Sequence, residues 1–213
     1  MINAVFIDLD GLLINSEELY LEANQLYFKK HGIDFTEAMH RDGTGQKFEK
    51  WITTVVDLDK TGEDILRERN EIFYQLVDEK LRLLEGAEKF LQMLQNEWNT
   101  SLVTSSKQDY VAKVFAKTKI EDYFEHKVTG DMVENGKPHP ECYLQAAETF
   151  GFAPDTCIVF EDAPSGVIAG KRAGMKVVAI PSKYVIGHEA FSNADLVVEK
   201  LSDITPERLY EIQ

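Results

Sequence analysis

The chain has 213 residues, 44% of them hydrophobic, and its 37 acidic and 23 basic side chains give a net charge of -14. That length suits one large domain or a core carrying a smaller insertion. The hydrophobic fraction excludes a disordered chain, and the negative surface argues against a nucleic-acid partner. The same surface repels free anions, so any anion site must build its positive field locally. Cys142 and Cys157 form no CxxC pair and are expected to be small buried hydrophobes. No run of about 18 apolar residues occurs, and the N-terminus opens on a strand-like run without a basic leader. The chain is therefore expected to be cytoplasmic, off the membrane and monomeric.

Ala4 to Ile7 is a short apolar run closed by charge, as in a buried strand. From about Asn15 to Leu84 no buried strand is evident. Glu17 to Lys30 instead places Leu19, Ala23, Leu26 and Tyr27 on one helical face, and Ile65 to Leu81 does the same with Ile65, Ile72, Leu76 and Val77. Beyond Gly86 the pattern changes again. Helical stretches from Ala87 to Asn96 (Phe90, Leu91 and Leu94 inward) and from Pro140 to Phe150 (Tyr143, Leu144 and Ala147 inward) alternate with apolar runs. Those runs are Ser101–Thr104, Cys157–Phe160, Lys176–Ile180 and, more weakly, Leu196–Val198. Apolar strands alternating with amphipathic helices predict an α/β fold, a parallel sheet covered on both sides. The boundaries are a core of residues 1–14 and 85–213, with an all-helical insertion over 15–84 directly after the first strand.

Ligands of an open parallel sheet bind beyond the carboxyl ends of its strands. Asp8 and Asp10 follow the first run, Thr104, Ser105 and Ser106 the second, and Glu161 and Asp162 the third. Acids so gathered would raise one another's pKa unless a cation sat among them, and hard oxygen ligands favour magnesium. Magnesium also neutralises a phosphoryl group. Asp8 could attack phosphorus, a known covalent route for carboxylates, and Asp10 could serve the leaving oxygen and then water as acid and base. In Gly136-Lys137-Pro138-His139-Pro140, Pro138 keeps Lys137 out of helical geometry, where it could supply positive charge to a phosphoryl group. Asp162 could equally cap the helix that begins near Pro164. His139 would only tune the lysine loop, and His40 is read as a surface residue.

In this order, Asp8-Leu9-Asp10-Gly11, Thr104-Ser105-Ser106-Lys107, Lys137-Pro138 and Glu161-Asp162 resemble the motifs of the haloacid dehalogenase-like hydrolase superfamily. The resemblance spans nearly the whole chain. It implies a Rossmann-like three-layer core with the helical insertion as a cap. It implies Asp8 as nucleophile and metal ligand, and Asp10 as acid/base with its backbone carbonyl on the metal. Thr104, Ser105 and Lys137 would hold the phosphoryl group, and Asp162, assisted by Glu161, would complete a Mg2+ site. Gly11-Leu12-Leu13, Val159 to Val167 and Ala173-Gly174-Met175 are similar to the subgroup of beta-phosphoglucomutases and pseudouridine-5'-phosphatases. Dehalogenases of the superfamily lack the second aspartate, and Asp10 is present. Beta-phosphoglucomutases carry a cap His and Arg where this chain has Tyr20 and about Gln46, so no cationic cap group is expected for a second phosphate. The resemblance thus favours a phosphatase of a small phosphorylated metabolite, a sugar phosphate or nucleoside monophosphate, over a mutase. A non-catalytic binding module ranks last, because no catalytic position is lost. Glu17, Tyr20, Gln46, Lys47 and Trp51 are the cap candidates for contact with the leaving alcohol, with Tyr20 and Trp51 equally suited to the helical core. Lys47 and Lys50 are expected to be solvated.

Overall fold

The computed structural model describes residues 1–212. The chain forms two compact units, Met1–Ile14 with Arg82–Gln213, and Asn15–Leu81. In the first, six strands form one parallel sheet: β1 (Ala4–Ile7), β2 (Asn99–Val103), β3 (His126–Val128), β4 (Cys157–Glu161), β5 (Lys176–Ala179) and β6 (Leu196–Val197). Their order is β3-β2-β1-β4-β5-β6. All five predicted runs are present as strands within a residue or two. β3 was not predicted: of His126, Lys127 and Val128 only Val128 is buried, so this edge strand carries no apolar signal.

The helical unit contains α1 (Ser16–Lys30), α2 (Glu37–Gly43), α3 (Phe48–Val55) and α4 (Gly62–Lys80). Its core gathers Tyr27, Phe28, Phe35, Trp51, Ile52 and Ile65. Leu26, expected inward, is exposed. Gly62 explains how α3 and α4 approach so closely. A Cβ there would lie 1.7 Å from the Glu49 carbonyl oxygen of α3.

The remaining helices are α5 (Ala87–Glu97), α6 (Gln108–Thr118), α7 (Glu141–Phe150), α8 (Pro164–Arg172) and α9 (Pro206–Glu211). Successive strand side chains point to opposite faces. Phe6, Val103, Val159 and Val177 therefore pack with Tyr143 and Ala147 of α7 and Val167 and Ala169 of α8. Phe160 points the other way, edge-on to Phe90 of α5 at 5.0 Å. The sheet is thus covered on both faces, which makes the fold α/β and Rossmann-like. Leu144, expected inward on α7, is exposed. Cys142 and Cys157 are buried free thiols, each pushed by burial to a pKa of about 11. No helix among the described residues is long and apolar enough to cross a membrane.

Ala normally improves on Gly within a helix by about 1 kcal/mol. At position 62 the collision with backbone outweighs that gain. Gly62→Ala is expected to lower stability by about 1–3 kcal/mol, read from urea unfolding followed by circular dichroism.

Candidate active site

All strand pairs are parallel, so the carboxyl ends share one edge. β1 pairs with β2 on one side and β4 on the other, so the order reverses beside β1. Such a switch point leaves a crevice beyond the strand ends. Asp8 follows β1 there, and its N–H donates to the Phe160 carbonyl at 3.1 Å, extending the ladder by one residue. Gly11 then turns the chain at φ +78°, a conformation that costs glycine nothing. The Leu13 N–H closes the turn on the Leu9 carbonyl at 3.0 Å.

Lys137 reaches into this crevice with its side chain only 5% exposed. Its Nζ donates to Asp8 Oδ1 at 2.6 Å, to Glu161 Oε1 at 2.6 Å and to the Val103 carbonyl at 2.9 Å. These three bonds use the full donor capacity of an ammonium. Glu161 Oε1 also accepts from the Tyr143 hydroxyl at 2.5 Å. Gly166 of α8 makes room for Glu161, since a Cβ there would fall 1.8 Å from its carboxyl carbon. The peptide bond between Lys137 and Pro138 is cis, and Pro140 occupies the N-cap position of α7.

Asp8, Glu161 and Asp162 are buried, and each offers a carboxylate oxygen within 4.8 Å of the others. Burial raises Asp8 to about 8; Lys137 lowers it, while Glu161 and Asp10 add to the rise. Burial also pushes Lys137 down, but Asp8 and Glu161 more than reverse this, so it remains charged well above the ordinary lysine value. Burial and Glu161 push the Tyr143 hydroxyl well above the usual tyrosine value, which keeps it a donor. One buried ammonium serving several carboxylates leaves a deficit of positive charge. A hard divalent cation would remove that deficit, and an all-carboxylate oxygen set fits magnesium. The fit is uneven, because Glu161 Oε1 is already engaged by Lys137 and Tyr143. Asp162 lies beside Ala163, which holds the N-cap position of α8 in place of the aspartate suggested from sequence.

The Asp10 carboxylate turns toward the end of β2. Ser106 Oγ donates to its Oδ2 at 2.7 Å and the Tyr110 hydroxyl to its Oδ1 at 3.3 Å, while Thr104 Oγ1 lies 3.5 Å from Oδ2. Thr104 is itself fixed at both ends. Its N–H donates to the Val128 carbonyl at 3.0 Å, and its hydroxyl accepts from the Ser106 N–H at 3.0 Å. Ser105 is exposed, and its carbonyl lies where a Cβ on Gly130 would fall, at 2.1 Å. The roles of Tyr110 and Tyr143 were not legible in the sequence, although the i, i+4 spacing of Ser106 and Tyr110 could have suggested a shared partner.

Within the helical unit, Glu17 lines a cavity of about 250 Å³ with Tyr20, Asn24, His40, Phe48, Trp51 and Arg69 among its walls. His40 is buried, with Nε2 3.3 Å from Glu17 Oε2. Its expected surface position is thereby corrected. Gln46 is exposed and its amide donates to the Asp42 carbonyl at 2.7 Å, away from the cavity walls. Lys47 and Lys50 are exposed. Tyr20 stacks on Phe73 at 3.9 Å, and Trp51 donates from Nε1 to Asp42 at 2.8 Å. Arg69, a buried cation of α4, went unnoticed because its charge reads as a solvated position.

A doubly covered parallel sheet with buried acids around a lysine at its switch point defines an α/β enzyme core with its site at the strand ends. Comparison with known proteins makes the assignment specific. The model of the haloacid dehalogenase-like hydrolases matches residues 5–180. A probable pseudouridine-5'-phosphatase of Drosophila melanogaster is 33% identical over 211 residues, covering 94% of this chain and 90% of that protein. A phosphorylated carbohydrates phosphatase of Thermotoga maritima is 31% identical over 181 residues, covering 81% of this chain and 82% of its own. The crystal structure of a beta-phosphoglucomutase from Clostridium difficile superposes with a TM-score of 0.78 at 25% identity, covering 100% of this chain and 97% of that one. The chain belongs to the haloacid dehalogenase-like hydrolases, in the subgroup that holds these phosphatases and mutases, and its enzyme class is that of the phosphoric monoester hydrolases.

Removing one partner of a buried ion pair leaves an uncompensated charge and typically costs about 3–5 kcal/mol. Lys137→Met is expected to lose about that much at pH 8.5. The sign with pH follows from Asp8: below about 8 it is protonated even beside Lys137, so the wild type loses that ion pair and its advantage over the variant shrinks toward pH 5. Urea unfolding at both pH values checks this.

Proposed function

We propose that the chain is a magnesium-dependent phosphatase hydrolysing a small phosphorylated metabolite, a sugar phosphate or nucleoside monophosphate, through an aspartyl-phosphate on Asp8. The observation that carries the proposal is Lys137 bonded to both Asp8 and Glu161, with Asp162 in the same buried cluster. Magnesium held by Asp8, the Asp10 carbonyl and Asp162, with Glu161 beside them, would supply charge neutralisation at the phosphoryl group.

In the proposed reaction a carboxylate oxygen of Asp8 forms a bond to phosphorus as the bond to the ester oxygen breaks. Asp10 gives its proton to that leaving oxygen, releasing the alcohol. Asp10, now a carboxylate, takes a proton from water. The water oxygen bonds to phosphorus, the bond to Asp8 breaks, and inorganic phosphate leaves with Asp8 restored. The bonds from Ser106 and Tyr110 aim the Asp10 carboxyl group before chemistry begins. Lys137, Thr104 and Ser105 are the proposed partners of the phosphoryl oxygens. Glu17 and Gln46 of the helical unit are proposed to meet the leaving alcohol. The relatives named for phosphatase activity support water as the final acceptor.

A second reading, a phosphoglucomutase-like isomerase, gains support from Arg69. It supplies a cation in the helical unit where the sequence suggested none.

With p-nitrophenyl phosphate and magnesium, Asp8→Asn is expected to lower phosphate release at least 10³-fold; equal rates would sink the proposal. Excess EDTA should abolish release and added magnesium restore it. Supplied with glucose 1-phosphate and a bisphosphate primer, the isomerase would form glucose 6-phosphate faster than free phosphate, and the phosphatase would not. Because ion binding competes with the proton on Asp8, magnesium should raise Tm more at pH 8.5 than at pH 5. Differential scanning fluorimetry reads that difference.

A further inference from the structure

The pairing of β2 with β3 does not stop where the strands do. Thr104 follows β2, and its N–H donates to the Val128 carbonyl at 3.0 Å. Two residues on, the Ser106 carbonyl accepts from the Gly130 N–H at 2.8 Å. Two further on, the Gln108 N–H donates to Asp131 Oδ1 at 3.1 Å. Alternate residues after β2 are thus tied in turn to the segment after β3. Only glycine at 130 permits this approach, because a Cβ there would collide with the Ser105 carbonyl.

The last of these bonds differs in kind. Gln108 opens α6, and its N–H is one of the donors that a helix leaves unpaired at its start. The N-cap residue is Lys107, whose ammonium can only donate. The capping oxygen comes instead from Asp131, on the neighbouring segment. Thr129, fully buried, donates from Oγ1 to the same Oδ1 at 2.6 Å and fixes the carboxylate. The Thr129 hydroxyl foremost, and with it the Gln108 N–H and the charge of Lys107, lower the Asp131 pKa from its ordinary value. Asp131 is exposed, so its side chain fills no core; its bonds orient α6.

Ser106 and Tyr110 stand two residues before and two after Gln108, and both donate to Asp10, at 2.7 and 3.3 Å. A shift at the start of α6 therefore moves both donors together. Misplacing a reacting group by about 1 Å can cost on the order of 10²-fold in rate.

We propose that Asp131 is a positioning residue, which caps α6 from the neighbouring segment and so keeps Ser106 and Tyr110 aimed at Asp10. The proposal rests on the reading of Asp10 as the acid of a phosphatase. Its test compares phenyl phosphate with p-nitrophenyl phosphate on the full-length protein with magnesium. Phenolate is the poorer leaving group and depends more on a proton from Asp10. Because kcat/KM covers the steps up to phosphoryl transfer, its ratio for the two esters reads the acid. In Asp131→Ala the ratio of phenyl to p-nitrophenyl phosphate is expected to fall about fivefold or more. A merely structural loss lowers both values equally, and an unchanged ratio overturns the proposal. Asp131→Asn keeps the Oδ1 acceptor and should hold the ratio within about twofold of wild type; a fall as large as that of alanine also overturns it. Thr129→Val removes the hydroxyl that fixes the carboxylate, should lower the ratio by less, and stands in if Asp131→Ala does not fold. A crystal structure of the same variant is expected to show Ser106 or Tyr110 out of hydrogen-bond reach of Asp10. Both bonds intact would overturn the proposal whether or not the wild type releases phosphate. No release from either ester by the wild type sinks the phosphatase reading instead, and the crystal structure then decides the positioning role alone.

Discussion

The buried ammonium of Lys137 is the constraint on which the candidate site depends. Three carboxylates packed at the end of a sheet would not stay ionised together in a low-dielectric crevice. By taking Asp8, Glu161 and the Val103 carbonyl at once, Lys137 ties the ends of β1, β2 and β4 to one point. Its own position depends on Tyr143 and Gly166, which hold and accommodate Glu161. Electrostatics and packing therefore cannot be varied independently here. A substitution as small as a methyl group on Gly166 would displace Glu161 and, through it, the lysine.

The sheet order supplies the complementary half of the arrangement. β1 is central, with β2 and β4 on either side, so residues distant in sequence end at one height. Asp8 and Glu161 meet because Ile7 is in register with Phe160. Asp10 lies two residues beyond Asp8, past the last strand residue, and is captured by Ser106 and Tyr110 from the β2 side. The two aspartates thus sit in different environments. Asp8 is buried against a lysine, and Asp10 is partly exposed among hydroxyls. Two carboxylates in unlike surroundings are suited to different tasks.

Much of this was legible in the sequence for a simple physical reason. A doubly covered parallel strand is a continuous apolar run, and the polar residue that ends it marks the functional edge. Asp8, Thr104 and Glu161 each stand at such an ending. β3 was invisible because an edge strand needs few apolar residues, and only Val128 is buried. Leu26 and Leu144 were placed inward because helical periodicity identifies a face but not how far the packing extends around it. His40 was misjudged, and Arg69 passed over, for the opposite reason. Polar side chains default to the surface, and only the three-dimensional arrangement shows His40 buried beside Glu17 and aromatic rings packed on Arg69. The partners of Asp10 and Glu161, Tyr110 and Tyr143, lie on helices whose spacing marks core positions alone.

The central position of β1 also has a consequence for biosynthesis. Ala4 to Ile7 is fully apolar and leaves the ribosome long before its neighbours, which begin only at Asn99 and Cys157. Residues 15–81 make their contacts among themselves and can settle early. The nascent chain therefore carries a sticky, unpaired segment until β2 and β4 have emerged. The strand that organises the finished sheet is thus the one that most needs shelter while the protein is being made.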